Sequence, residues 1–161
     1  TIQNEGLQEF IAQFGYAGIL ILAYISGLNL VVPIPAPTFV PLFTASGFPI
    51  ELVIATMVVG TTLADLTGFF LGIWGKTIVE RKHLVWYERF TLFANKHEKL
   101  VQPGVFLFAA FFPLPNELFL IPLGLAGFRL RRLLLPLILG TIIHISLLAI
   151  GFDTLARLVF G

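Results

Sequence analysis

The sequence predicts an all-α integral membrane protein. It is expected to be an inverted repeat of a proline-broken re-entrant helical hairpin plus a transmembrane helix, with an interfacial amphipathic helix between the repeats. Three observations carry this: a composition too apolar for water, four long apolar stretches, and a self-similarity at an offset of 80 residues.

Hydrophobic residues make up 57% of the 161, charged residues only 12%, and the mean hydropathy is +0.94. A soluble domain carries about 25% charged residues. So few charges cannot cover a water-facing surface, and the bilayer is the natural solvent. The length suits one membrane domain, 1–161. The start at Thr1 reads as that of a fragment or processed chain, and Glu5 and Glu9 stand where a secretory signal would be basic. The absence of cysteine excludes disulfides, thiolate metal sites and a cysteine nucleophile. His83, His97 and His144 lack metal-ligand spacing. There is no phosphate-cradling loop and no nucleophile elbow. A net charge of +1 gives no case for nucleic acid. No enzymatic activity, metal or cofactor is expected.

The first apolar stretch, Tyr16 to Val32, leads into "VVPIPAPTFVPLFTASGFPI" at 31–50. The second, Leu52 to Gly75, is interrupted only by Asp65. Residues 76–103 hold most of the charge. The third, 104–128, contains "FFPLPNELF", and "RLRR" at 129–132 precedes the fourth, Leu133 to Phe152. Repeat one is therefore placed at 16–75, with its re-entrant part at about 17–48 and its transmembrane helix at about 51–75. Repeat two is placed at 104–152, with the corresponding parts at about 104–128 and 132–152.

The repeat rests on ordered identities. Pro33, Pro35, Phe39, Gly47 and Phe48 match Pro113, Pro115, Phe119, Gly127 and Phe128, and Gly60-Thr61 matches Gly140-Thr141. Proline removes a backbone donor and clashes with the preceding turn. Non-helical backbone survives at membrane depth only where protein or a wet cavity shields it. Each broken stretch is thus expected as a re-entrant hairpin, with a kinked full crossing as the alternative. The hairpin arrangement puts nine of the ten basic residues on one face, cytoplasmic by the positive-inside rule: Lys76, Arg81, Lys82, Arg89, Lys96, Lys99, Arg129, Arg131 and Arg132. Glu5, Glu9, Glu51, Asp153 and Arg157 take the other. Inverted repeats whose broken helices meet near the midplane recur among transporters.

Two carboxylates lie within these stretches. An ionisable group at membrane depth costs at least about 2.5 kcal/mol, which makes it a functional candidate. Glu117 follows the second break, where Asn116 and Glu117 can reach freed amides or a cavity; the plainer role for Glu117 is helix capping. Asp65 lies fourteen residues past Glu51, about 21 Å along a helix. His144 falls near the repeat equivalent of Asp65, and Asp65, Glu117 and His144 are expected to share a hydrated cavity as proton-coupling groups. The plainer alternative has Asp65 bonded to Thr61 or Thr62 and His144 to a backbone carbonyl. Substrate contacts are expected at the breaks, from Pro33, Pro35, Thr38, Pro113, Pro115, Asn116 and Glu117. Gly60, Ala64, Gly68 and Gly72 recur every four residues as a close-packing stripe. Residues 77–102, with Trp86, Tyr87, Phe90 and Phe93 among charges, are expected as an amphipathic helix on the cytoplasmic interface, its aromatic side towards lipid.

Residues 18–152 resemble the DedA family, also called the VTT-domain or SNARE-associated Golgi-protein family, as a divergent member. A Pro-x-Pro break precedes Ala45-Ser46-Gly47. "GTTLADLTGFFLGIWGK", Gly60 to Lys76, resembles the family's Gly-x-x-x-Gly-Asp-x-x-Gly-Tyr-x-x-Gly-x-x-x-Gly stretch, with Asp65, Gly68, Phe69 and Gly72 in register, Ala64 in place of a glycine, and the final glycine one residue early at Gly75. "FLFAAFFPLPNELFLIPLGLAGF" resembles the family's second hairpin, although Ala110 and Asn116 stand where it carries arginines. Pro37 and Thr38 replace the glutamate usual in the first hairpin. The resemblance implies movement of phospholipids or polyprenyl-phosphate carriers between leaflets, with proton coupling in some members. The expected partners are membrane lipids and a second copy of the chain, and the expected location is the plasma (inner) membrane, with 76–103 and 129–132 cytoplasmic. Two other functions fit the same sequence: a non-transporting membrane scaffold that binds a partner through the stripe and the interfacial helix, and a small channel or ion-coupled carrier.

Overall fold

The computed structural model describes residues 2–28, 35–81 and 85–160, with side chains from residue 15 onward except at 79–81, 153, 156, 157 and 160. Every regular element among them is helical. In order they are α1 (Ile2–Gly27), a 3-10 turn (Ala36–Phe39), α2 (Val40–Ala45), α3 (Ile50–Arg81), α4 (Val85–Lys96), α5 (Glu98–Phe111), α6 (Glu117–Leu125) and α7 (Leu130–Phe160). Two of them are long and apolar enough to cross a membrane, over Ile50–Ile78 and Leu130–Phe152.

Local chemistry sets the breaks. Pro113 and Pro115 cannot donate to the last turn of α5, which ends at Phe111. Helix α6 restarts behind Asn116. α2 and α6 end in the same turn. Gly47 and Gly127 have φ of 92° and 77°, a left-handed conformation open to glycine. In each turn the next phenylalanine reaches back five residues, Phe48 N–H to the Phe43 carbonyl and Phe128 N–H to the Leu123 carbonyl, both at 3.1 Å. Beyond the turns, residues 51–60 of α3 and 131–140 of α7 alternate between buried and exposed in the same order.

The contacts give the directions. Gly60 sits against the backbone of Leu20 and Tyr24, and Gly27 against Thr61 and Ala64, so α1 and α3 run parallel. Gly140 sits against Phe106 and Ala110 in the same way, so α5 and α7 run parallel. α3 and α7 are antiparallel. Phe69 shares one apolar cluster with Leu133 and Leu137, whereas Val53 and Met57 share another with Ile145 and Ala149. Segment 98–132 begins and ends together: Arg132 is ion-paired with Glu98.

Helix α3 runs six residues past Gly75, to Arg81. Two expectations need correction. Residues 77–102 are not one amphipathic helix: the run is divided among the end of α3, α4 and the first turn of α5. The turn comes at His97, whose φ of −112° and ψ of 33° leave the helical region. Nor do the aromatics share one face. Trp86 and Phe93 are exposed, but Tyr87 is buried, donating its hydroxyl to the Leu125 carbonyl at 3.1 Å and tying α4 to α6.

Candidate functional site

The molecule is apolar outside as well as inside. Leu52, Val59, Leu63, Trp74, Leu135 and Leu147 are all exposed, while Asp65, Glu117, Thr62, Thr141 and Ser26 are buried. Buried polar groups are the informative ones. On α3 and α7 they lie between the two apolar clusters: Thr62 and Asp65 fall between Met57 and Phe69, and Thr141 between Leu137 and Ile145. The result is a polar layer with an apolar cluster on either side.

The break at 112–116 supplies this layer. Asn116 precedes the first turn of α6 but does not cap it with its side chain. Its Nδ2 instead donates to Asp65 Oδ2 at 3.1 Å. The sequence allowed a local bond from Asp65 to Thr61 or Thr62; the partner comes from the other half of the chain, because the break brings an amide against α3. Thr62 Oγ1 is buried without a hydrogen-bond partner. Glu117 is 2% exposed and packs on Gly68, three residues after Asp65 on α3 and on the same face. A Cβ at Gly68 would lie 2.9 Å from Glu117 Cγ, so the glycine makes room for the carboxylate arm.

His144 meets the other consequence of the break. The last carbonyls of a helix have no partner within it. His144 Nδ1 lies 3.3 Å from the carbonyl of Ala110, in the final turn of α5. A carbonyl can only accept, so Nδ1 is the donor, and in the neutral ring Nε2 remains an acceptor. This is the backbone partner that the plainer alternative assigned to His144.

These groups surround a cavity of about 70 Å³ lined by Gly27, Thr61, Asp65, Ala109, Phe112, Leu114, Asn116, Thr141, His144 and Ile145. Three of the expected site residues, Asp65, Asn116 and His144, are thus together, with Glu117 one turn away along the face of α3. Pro113 and Pro115 flank the lining residues. Pro35 and Thr38 do not reach it: Thr38 Oγ1 donates to the Pro35 carbonyl at 2.8 Å. Pro33 lies outside the described residues.

The small-residue stripe serves two partners. Gly60 and Ala64 face α1, whereas Gly68 and Gly72 face α6. A Cβ at Gly72 would lie 2.3 Å from the Ile121 carbonyl oxygen, and one at Gly124 would lie 2.3 Å from that of Phe69. Gly27, Gly124, Gly140 and Thr141 were not singled out in the sequence as site or packing residues. Thr141 was visible there only as the counterpart of Thr61, and its Oγ1 is buried without a hydrogen-bond partner. No group of three or more His, Asp or Glu side chains that could hold a metal exists among the described residues.

No family model, no curated protein and no solved structure matches this chain.

Proposed function

We propose that this chain is an integral membrane transporter, flippase- or scramblase-like and proton-coupled, that moves lipids or polyprenyl-phosphate carriers between leaflets. In this reading it is a divergent DedA-like protein, an inverted repeat of two opposed re-entrant hairpins. The observation that carries it is the bond between buried Asp65 and half-buried Asn116, at 3.1 Å, beside a cavity between two apolar clusters. Such polarity is expensive in a bilayer, and transport pathways are where it recurs. The antiparallel course of α3 and α7, the matching glycine turns and the shared burial order at 51–60 and 131–140 support the inverted repeat.

The residues then divide the work. Asp65, Glu117 and His144 carry and stabilise the coupling proton. Asn116 holds Asp65 between substrate passages, and the tips at Pro35–Thr38 and Pro113–Glu117 line the headgroup path when the hairpins part. At about 70 Å³ the cavity admits a few waters and no phospholipid headgroup. Each cycle therefore needs α5–α6 to move against α3. The basic end is cytoplasmic and the membrane is the plasma (inner) membrane.

The cavity's size favours a second reading, a small ion-coupled carrier. Liposomes holding the purified chain and fluorescent lipids decide between them. Lipid movement accelerated by a proton gradient, and abolished by Asp65→Asn, is the expected result. Ion flux without lipid movement would establish the second reading, and neither would leave a scaffold. Cysteine labelling tests the topology separately. Positions 99 and 131 should label from one side and position 51 from the other; opposite labelling of 99 and 131 would make 104–128 a full crossing.

A further inference from the structure

At the basic end, about 18 Å along α7 from His144 by the twelve residues separating it from Arg132, lies a second cavity of about 300 Å³. Its walls come from different elements. Arg129 comes from the residue before α7 and Arg132 from its first turn, Asn95 from α4, Glu98 from α5, and the Gly127 turn from the end of α6. Among the lining side chains two arginines stand against one carboxylate, and that carboxylate holds Arg132 in an ion pair. The positive end of the α7 dipole points the same way.

We propose that this cavity binds the phosphate of an anionic phospholipid headgroup, at a site separate from the central cavity. Arginine suits phosphate because its planar fork meets two oxygens at once. Basic cavities at the ends of membrane helices are where anionic headgroups gather. A lipid is favoured over free phosphate by the surroundings. The other side of the α4–α5 corner is an apolar groove of about 230 Å³ that includes Phe90, Phe93, Leu100 and Phe119, where an acyl chain can lie. The charges also predict a sign. Glu98 opposes the anion and occupies Arg132, so its removal should tighten binding. The proposal rests on the membrane reading but not on transport: a protein that moves no lipid would still bind here.

The test uses the full chain in a neutral detergent. It is titrated with phosphatidylglycerol, phosphatidylcholine or inorganic phosphate, and the readouts are bound lipid by native mass spectrometry and thermal stability. Phosphatidylglycerol should bind and stabilise; the other two should not. Arg129→Gln, at an exposed position, should weaken phosphatidylglycerol binding about fivefold, and Glu98→Gln should strengthen it by a similar factor. Equal binding of the two lipids, or weaker binding by Glu98→Gln, would overturn the proposal. Inorganic phosphate binding as well as phosphatidylglycerol would overturn the lipid as its source. Loss of lipid movement in liposomes with these binding results intact would defeat the transport reading alone.

Discussion

Residues 36–48 and 116–128 end in the same way and begin differently. Both close on a left-handed glycine and a phenylalanine that reaches back five residues. Both lead into a long helix with the same burial order over its first turns. At their starts, Ala36 and Pro37 are buried and apolar, whereas Asn116 and Glu117 stand at the matching positions. The same asymmetry runs down the long helices. Asp65 on α3 corresponds to Ile145 on α7, and His144 on α7 to Ala64 on α3. The turn geometry and the burial order thus recur, while the polar groups do not. Packing constrains both halves alike, because each must bury an apolar face against a parallel neighbour. A polar centre needs only one donor set, and here it is assembled from one residue of α3, one of α7 and the break at 112–116.

The comparison breaks most visibly at the close contacts. Gly60→Leu and Gly140→Leu should each cost roughly 3 kcal/mol or more, because a Cβ would meet backbone oxygen at 2.6 Å and 2.8 Å respectively. Both variants should lose a monodisperse peak in detergent, while Gly151→Ala, with nothing within 4 Å, should keep it. If only one of the two leucines did harm, the shared frame would be wrong.

At the single polar centre, Asp65→Leu leaves the Asn116 amide without its acceptor and should cost about 1–3 kcal/mol. Asp65→Asn keeps an acceptor oxygen and should melt within a few degrees of the parent; under the transport proposal it should also lose the proton dependence. Equal melting temperatures for the leucine and asparagine variants would show that the Asn116 bond contributes nothing.

The turns give a smaller, paired effect. Alanine at Gly47 or Gly127 puts a Cβ into left-handed backbone, at roughly 1–2 kcal/mol each. The Gly127 change should be the larger, since its Cβ also meets Lys76 Nζ at 3.1 Å. Thermal melts of both variants check the order.

Thr141→Val has the smallest expected effect. It removes a buried hydroxyl with no hydrogen-bond partner and keeps the shape, so stability should stay level or rise by less than about 1 kcal/mol. A clear loss would mean that the hydroxyl holds a water in the central cavity.

By itself the sequence determined the helical class and the break at 112–116. These are local matters: proline cannot donate, glycine alone sits easily at positive φ, and an apolar run of spanning length favours the α-helix. It also marked Asp65, Asn116, Glu117 and His144, because a polar group in an apolar run stands out. Only the tertiary structure decided which of them meet. Asp65 could bond within its own helix, and nothing local favours Asn116, 51 residues away. His144 found its carbonyl only because α5 ends beside α7. Glycines 27, 124 and 140 look like any other small residues until a neighbouring backbone comes within 3.5 Å of where their Cβ would be. Thr38 likewise stays apart from the central cavity, its hydroxyl bonded to the Pro35 carbonyl of its own turn. Contact between distant segments follows from how whole helices pack, and residue spacing along the chain does not encode it.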